Sequence, residues 1–236
     1  MPQRKRIGRT FHIDGGLGPK GQRTREALRR ATRTVLERLG YHAMKVADVA
    51  AEAEVAVGLF HHYFPDLKTA ACDVLAEFIR EIDGRAYDLP PAADAFDAIY
   101  RPTLIWTQAY ADQPGLMLCL GQVAAEVPEF REIWLRGNQL WTHRIARRLM
   151  RQFDHGGPRD RLYLSLAYTL GAMVDGLLQE IYVRRHPELS ELLTTPAQVA
   201  ELLSVVWYRA VYLENPPADR LTLAAPLLSM AQALGR

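Results

Sequence analysis

Apolar residues near the start of the chain recur at helical spacing in two short, neighbouring segments. The first is Val46–Ala53; the second ends in the aromatic run Phe60–Phe64, with Leu59 or Phe60 facing inward and Val55 at the corner between the segments. This pattern predicts two short helices joined by a tight turn, which is a helix-turn-helix. Each helix is far below the ~12–15 residues that an isolated helix needs in water, so both depend on supporting helices.

Two longer amphipathic segments supply that support. Arg23–Leu39 precedes the pair, and Leu67–Ile82 follows it with Asp66 as a good N-cap. A compact helical unit whose second short helix faces solvent has the geometry that fits the DNA major groove. The first part of the chain therefore predicts a three-helix DNA-binding head.

The rest of the chain has the pattern of further helices separated by prolines and glycines. Leu and Ala dominate, and no alternating strand pattern appears, so the predicted fold class is all-α. The predicted spans in this part are 94–111, 114–125, 129–153, 159–185, 197–214 and 219–234. Two prolines in Asp88–Ala93 interrupt the pattern. We therefore expect a mobile basic arm in residues 1–22, a helix-turn-helix domain in residues 23–88 and a helical body in residues 89–236.

Three features of the body bear on its packing. Arg159–Arg185 is apolar almost all round, so this helix must be buried on several sides. The next helix carries one apolar stripe from Val199 to Val211. Pro102 falls inside a helical pattern, where it should kink the helix and free a carbonyl one turn earlier.

The net charge of +2 conceals an asymmetry along the chain. Residues 1–45 contain 12 Lys+Arg and 3 Asp+Glu, whereas the remaining residues contain 17 and 24. A basic head on an acidic body indicates a polyanionic partner for the head, and a basic tail kept for solubility is the alternative. Arg25, Arg29 and Arg33 repeat every fourth residue, either as a solvated helix face or as phosphate contacts.

The cysteines and the chain start bear on the compartment. Cys72 and Cys119 are far apart and lack metal-ligand spacing, which indicates two free thiols in a reducing compartment. No apolar segment follows the N-terminal run Arg4–Arg6 as it would in a secretory signal. No uncharged run reaches the ~18–20 residues of a membrane span. We therefore expect a cytoplasmic protein without a membrane partner.

The run Gly40–Leu75 (GYHAMKVADVAAEAEVAVGLFHHYFPDLKTAACDVL) resembles the DNA-binding domain of the tetracycline-repressor-like (TetR) family of bacterial regulators. The landmarks that match are Gly40-Tyr41, Val46, Val49-Ala50, Val55, the aromatic end Phe60–Phe64 and Pro65-Asp66. The close resemblance covers the first third of the chain. It implies a homodimeric, ligand-responsive transcriptional regulator, expected to be a repressor that a small, largely apolar effector releases from a palindromic site in double-stranded DNA.

The chain departs from that family around the turn of the helix-turn-helix. Glu54, Ala56 and Val57 stand where relatives often have Gly, Ser and Lys. Glu54 would repel phosphate, and base reading would depend on Ala56 or Val57 against thymine methyl groups. The predicted DNA-binding residues are Arg4, Lys5, Arg6, Lys45, Ala56, Val57, Gly58, His61, His62, Tyr63 and Lys68.

The body carries more aromatic and soft side chains than a minimal core requires, with polar groups on helices that also have apolar faces. Together with the resemblance, this favours a small-molecule pocket, although each of these side chains alone is more often ordinary core. The predicted ligand-binding residues are Trp106, Tyr110, Met117, Trp134, Asn138, Trp141, His143, Tyr168, Met173 and Asp175.

In the resembled family, two late helices from each subunit form a four-helix dimer interface. The apolar helix 159–185 and the helix after it are the candidates here. The predicted interface residues are Leu170, Val174, Leu178, Val199, Leu203, Val206 and Ala210. The other interpretation makes both helices ordinary intramolecular core.

Enzymatic functions have no supporting motif in this sequence. It has no Gly-rich phosphate loop between a strand and a helix, no nucleophile elbow and no HExxH metal motif. His61 and His62 are adjacent, so on a helix they point ~100° apart and cannot share a metal ion. We therefore predict no catalytic residue, no metal ligand and no cofactor. The alternatives are a helical small-molecule-binding protein with a degenerate helix-turn-helix and, third, an all-helical enzyme.

Overall fold

The computed structural model describes residues 18–153 and 160–224, and these residues are helical without any strand. This confirms the all-α prediction. The α-helices are α1 (Pro19–Leu39), α2 (Val46–Glu52), α3 (Val57–Tyr63), α4 (Leu67–Tyr87), α5 (Asp97–Asp112), α6 (Pro114–Glu126), α7 (Pro128–Phe153), α8 (Asp160–Leu178), α9 (Pro187–Leu192) and α10 (Pro196–Tyr212). A π-helical segment, Gln179–Val183, follows α8, and a 3₁₀ helix covers Ala218–Arg220.

Some boundaries differ from the prediction at the start of the chain and after α8. α1 begins inside the predicted arm because Pro19 is well suited to the first helical position. The span predicted as one helix over 159–185 is α-helical only to Leu178 and then becomes the π-helical segment. The short helix α9 was not predicted. α5 continues through Pro102, and the kink predicted there stays a prediction.

The helix predicted over 219–234 is wrong where the structure describes it. After the 3₁₀ helix, residues 221–224 are irregular, and residues 225–234 lie outside the described part. The cause is Glu201, a buried residue of α10 whose carboxylate accepts hydrogen bonds from the backbone N–H groups of Thr222 (2.8 Å) and Ala224 (2.7 Å). Those N–H groups therefore do not enter a helical ladder.

One compact unit combines residues 18–81 with Gln113–Trp141. Its core contains the apolar stripes of α1, α4 and α6, and α3 contributes Phe60 and Phe64. Gly40 ends α1 with φ 76°, a left-handed conformation that glycine adopts without steric cost. This unit holds the helix-turn-helix.

The other compact unit combines Ile82–Asp112 with the described residues from Thr142 onward. Here α5 packs against α10 around Phe96, Val205 and Tyr208. The rings of Tyr208 and Tyr212 stack with centroids 4.4 Å apart. α4 and α7 each contribute residues to both units. The functional division into arm, DNA-binding domain and body stays a prediction.

The described residues contain neither a helix long and apolar enough to cross a membrane nor a group of His, Cys, Asp and Glu side chains that could hold a metal ion. Cys72 and Cys119 are free and buried. Burial raises the pKa of the Cys72 thiol to about 12 and that of Cys119 to about 11.

Candidate nucleic-acid interface and ligand site

The turn of the helix-turn-helix forces Glu54 into a left-handed backbone conformation. Its φ is 54°, and the N–H of Val55 donates to the carbonyl of Ala50 over 3.0 Å, which closes the turn. Residues other than glycine adopt this conformation at a cost of about 1–2 kcal/mol. The resemblance leads one to expect glycine at position 54, and the left-handed backbone there favours glycine. This chain has the exposed carboxylate of Glu54 instead.

Two aromatic side chains fix the orientation of α3. Phe60 and Phe64 are fully buried, with ring centroids 5.7 Å apart, and the guanidinium of Arg25 lies 5.3 Å from the centre of the Phe64 ring. Leu59 is exposed, so Phe60 is the inward residue of the two that the sequence left open. Because one face of this short helix is anchored in the core, its opposite face is free for a partner.

The free face of α3 and its surroundings carry the predicted DNA-binding residues. Ala56, Val57, Gly58, His61 and His62 are exposed on α3 or at its start, and Tyr63 is half-buried. The exposed Lys45 and Lys68 lie at the starts of α2 and α4. α3 itself carries no lysine or arginine, so its face offers histidines and apolar groups. The predicted contacts Arg4, Lys5 and Arg6 lie outside the described residues.

The helices on either side of α3 have carboxylate caps. The backbone N–H of Lys45 donates to the Asp48 carboxylate over 2.8 Å at the start of α2. The N–H of Thr69 donates to Asp66 over 2.7 Å at the start of α4, as Asp66 was predicted to do. Hydrogen bonds from Thr69 hold the pKa of Asp66 below its usual value. These caps set the ends of α2 and α4 without using the face of α3.

The arginine row of α1 forms an ion-pair ladder with α4. The ladder consists of Arg25, Arg29 and Arg33 on α1 and Asp73, Glu77 and Glu81 on α4. Asp73 receives Arg25 at 3.3 Å and Arg29 at 3.0 Å, and the Asp73 side chain is only 2% exposed. Both rows repeat every fourth residue, so their charges meet along facing stripes. The interpretation as a solvated face is therefore wrong for Arg25 and Arg29, and phosphate contact by this row stays a prediction.

In the unit that contains α5 and α8, a polar cluster forms between these two helices. The Asp175 cluster consists of Trp106, Tyr110, Asp175 and Gln179. Trp106 Nε1–H donates to Asp175 Oδ1 over 2.7 Å. The Tyr110 hydroxyl donates to the same carboxylate and accepts from Gln179. The rings of Trp106 and Tyr110 meet edge to face with centroids 6.1 Å apart.

The electrostatics of the Asp175 cluster are unusual for a core. Burial raises the pKa of Asp175 although its two donors act in the opposite direction, and burial likewise raises the pKa of Tyr110. Within the described part of the chain, no lysine, arginine or histidine forms an ion pair with Asp175. Asp175 and Trp106 are half-buried and Gln179 is exposed, so the cluster reaches solvent at one edge.

The π-helical segment lies next to this cluster. The N–H of Arg184 donates to the carbonyl of Gln179 five residues earlier, over 2.8 Å. Within it, the Tyr182 hydroxyl is buried and has no hydrogen-bond partner among the described residues. Burial raises the pKa of Tyr182 to about 12. The segment ends α8 in a single π-helical turn before α9 begins at Pro187.

The structure brings together only part of the predicted ligand set. Trp106, Tyr110 and Asp175 meet, and Met173 is half-buried two residues before Asp175. His143 and Tyr168 are exposed in the same compact unit. Met117, Trp134, Asn138 and Trp141 belong to the other unit.

Sequence reasoning missed Tyr182. The available signal was the spacing of Asp175, Gln179 and Tyr182, four and then three residues apart, which places three polar groups on one face of an otherwise apolar helix.

A separate cavity of about 490 Å³ in the second unit contains none of the predicted ligand residues. It is lined by Phe96, Asp97, Tyr100, Thr195, Ala197, Gln198, Glu201, Arg220 and Thr222. The charged groups of this cavity already have partners: Glu201 accepts from residues 222–224, Asp97 pairs with Arg101, and Arg220 pairs with Asp94. The Asp175 cluster, whose carboxylate has no cationic partner among the described residues, is the better candidate for a ligand.

The predicted dimer residues divide into two groups. Five of them are buried within this chain, and Val206 and Ala210 are exposed. The dimer interface stays a prediction. The buried five are Leu170, Val174, Leu178, Val199 and Leu203. The exposed apolar side chains Leu162 and Tyr168 of α8 accompany Val206 on the surface.

Comparison with known proteins agrees with this arrangement. Residues 28–67 match the family model described as bacterial regulatory proteins of the tetR family. No curated protein sequence matches the chain.

Three solved structures illustrate the similarity of fold. A transcriptional regulator from Rhodococcus sp. Rha1 has 20% identity and a TM-score of 0.64, over 80% of this chain and 94% of that one. A candidate transcriptional regulator from Saccharomonospora viridis, in complex with choline, has 18% identity and a TM-score of 0.64, over 80% and 96%. A TetR-like transcriptional regulator from Rhodococcus sp. RHA1 has 13% identity and a TM-score of 0.63, over 84% and 99%.

Proposed function

We propose how this chain, a DNA-binding transcriptional regulator of the TetR family, recognises its site and is controlled. The exposed face of α3 enters the major groove, and Lys45 and Lys68 contact the flanking phosphates. The observation that carries this proposal is the anchoring of α3 by Phe60 and Phe64, which leaves Val57 and His61 outward. Phosphate contacts position the head, and contacts to base edges specify the sequence.

The regulator responds to a small molecule bound in the unit that contains the Asp175 cluster. A half-buried carboxylate with aromatic neighbours fits a pocket that combines apolar walls with a few polar groups. The choline complex of a structural relative supports a small-molecule ligand in this fold. We expect a repressor that the effector releases from DNA. Release can be no larger than the difference in the effector's affinity for the DNA-bound and released forms.

We further propose that two copies associate and read a palindromic operator. Three large apolar side chains, Leu162 and Tyr168 on α8 and Val206 on α10, are exposed, and their exposure supports an interface that covers them. Sedimentation of the wild-type protein tests this, because one chain has a mass of 26.7 kDa and a dimer twice that. If the protein sediments without DNA as a single species of 26.7 kDa and binds DNA as one copy, the dimer is removed from the proposal.

The alternative of a helical small-molecule-binding protein with a degenerate helix-turn-helix is not favoured. α2, the turn and α3 form in full, and this region matches the family model. Regulators of this family are generally not enzymes, and we propose no catalytic role for the chain.

The central experiment selects bound sequences from random duplex DNA. We expect enrichment of two half-sites about 10 bp apart, centre to centre, with binding that weakens steeply as salt rises. Absence of enrichment together with salt-independent binding would contradict DNA recognition by this head.

Two kinds of substitution separate contacts that position the head on DNA from contacts that read its base sequence. Tyr63→Ala and Lys68→Ala should weaken binding to every sequence alike, and each lost phosphate contact should flatten the slope of log K against log salt by about 0.9. Val57→Ala or His61→Ala should instead change sequence preference, by about 1–3 kcal/mol for each lost base contact. Arg85→Ala removes an exposed cation of the other unit and serves as the control with unchanged slope. Equal binding by the Tyr63/Lys68 double variant, folded as judged by its unfolding midpoint, would exclude both residues from the interface.

Substitution of Glu54 should improve both stability and DNA affinity. Glu54→Gly relieves the left-handed strain, and part of that gain is offset by the entropy of glycine in the unfolded chain, so we expect a gain of up to about 1 kcal/mol. It also removes a negative charge beside the helix that faces phosphate. Glu54→Gln is the matched control, since it removes the charge but keeps the strain. Thermal unfolding and DNA titration should therefore show tighter binding for both variants and higher stability for glycine alone.

A further inference from the structure

Among the described residues, the carboxylate of Asp175 is held by neutral donors alone. Trp106 Nε1–H and the Tyr110 hydroxyl donate to it, and no cationic side chain of the described residues pairs with it. Withdrawing a carboxylate from water without a counter-charge is costly, and neutral hydrogen bonds offset only part of that cost. The Asp175 carboxylate therefore has hydrogen-bond donors but no counter-charge among the described residues.

The groups around Asp175 define what would complete the arrangement. An ionised carboxylate offers about four acceptor positions, so the two donors leave some of them open. Trp106 and Tyr110 present aromatic rings beside it, and the face of such a ring attracts a cation within about 6 Å. Gln179 is exposed and Asp175 only half-buried, which leaves a route from solvent. A positively charged, weakly hydrated group fits all three features.

We propose that the Asp175 cluster binds a cationic amine or quaternary ammonium ligand, whose charge pairs with Asp175 while its alkyl groups lie against Trp106 and Tyr110. This inference rests on the proposed function of a ligand-responsive regulator and names the chemical class of its effector. The hydroxyl of Tyr182, in the π-helical segment that begins at Gln179, is a further buried polar group without a hydrogen-bond partner among the described residues.

Calorimetric titration of the full-length protein without DNA tests the proposal. The probes are choline, benzyltrimethylammonium and 3,3-dimethylbutan-1-ol, the uncharged isostere of choline. We expect at least one of the two cations to bind about tenfold or more tightly than the neutral isostere, because only a cation gains the charge pairing and the attraction to the rings. Failure of both cations to bind, or binding of neither cation more tightly than the neutral isostere, would overturn the proposal.

Two variants locate the binding. Asp175→Asn keeps the shape and an acceptor for Trp106 but removes the charge, so cation binding should weaken about tenfold or more. Because burial raises the pKa of Asp175, its charged form costs the folded state free energy at neutral pH, and the variant should unfold at an equal or higher temperature. Asp83→Asn removes another carboxylate of the same unit whose pKa burial raises, and it should leave cation affinity unchanged. Unchanged cation affinity in Asp175→Asn would place the ligand elsewhere.

A separate DNA titration distinguishes this inference from the proposed function. Cation binding that depends on Asp175 but leaves DNA affinity unchanged would support the site and contradict ligand control. DNA binding released by a neutral apolar compound, with no cation bound, would support ligand control and overturn the cationic class.

Discussion

Asp73→Ala should lower the free energy of unfolding by about 3–5 kcal/mol, the cost of removing one partner from a buried ion pair. Asp73 is 1% exposed and receives both Arg25 and Arg29 in the ion-pair ladder. Without it, two guanidinium groups that are almost withdrawn from water lose their shared counter-charge. Since domains have only about 5–15 kcal/mol of stability in total, this is a large fraction. Urea unfolding followed by circular dichroism measures the change.

The other end of the ladder supplies the control. Glu81 pairs with Arg33 over 2.8 Å, but both side chains reach solvent. Glu81→Ala should cost less than about 1 kcal/mol, as exposed ion pairs do. If Asp73→Ala and Glu81→Ala lowered the free energy of unfolding equally, burial would not determine how strongly each ion pair of the ladder stabilises the protein. A loss below 1 kcal/mol for Asp73→Ala would mean that the arginines find other partners.

Gly115→Ala should destabilise the protein strongly, although alanine is the better helix former. α6 begins so close to α1 that a Cβ on Gly115 would lie 2.1 Å from the backbone carbonyl oxygen of Glu37. The Glu37 carboxylate also accepts from the N–H groups of Gly115 (3.0 Å) and Leu116 (2.8 Å), so any retreat of α6 weakens both bonds. Overpacking alone costs about 1–3 kcal/mol, and the loss of hydrogen bonds to a charged group adds to it.

Gly121 in the same helix gives a matched comparison. A Cβ at Gly121 meets nothing within 4 Å, so Gly121→Ala should stabilise the protein by up to about 1 kcal/mol through helix propensity. Thermal unfolding of the two variants should therefore move in opposite directions. A stabilised Gly115→Ala protein would contradict the close approach of α6 to α1.

The head was the most predictable part of the chain because its signals are local. Helical spacing of apolar residues placed α2, α3 and α4, and Asp66 caps α4 as expected. The choice between Leu59 and Phe60 was not decidable from spacing, since adjacent residues both lie near the edge of the apolar face. Packing against the core decided it in favour of Phe60.

The features that escaped prediction depend on partners distant in sequence. Arg25 and Asp73 are 48 residues apart, so nothing in the α1 pattern distinguishes a paired row from a solvated one. Periodicity likewise identifies the apolar stripe of α10 but not whether Leu203 meets its own chain or another. The candidate ligand site shows the same limit: Trp106 and Asp175 were individually predicted, but only tertiary structure brings them within hydrogen-bonding distance.

The two buried thiols make the protein a convenient subject for site-directed spectroscopy. Cys72 and Cys119 carry almost no thiolate at neutral pH, because burial raises their pKa values to about 12 and 11. Thiolate is the form that reacts with maleimides and methanethiosulfonates. A cysteine introduced at an exposed position such as His62 would therefore be labelled selectively in the native chain, without prior removal of Cys72 and Cys119. Spin labels attached in this way could report the separation of two heads on DNA and its change when a ligand is added.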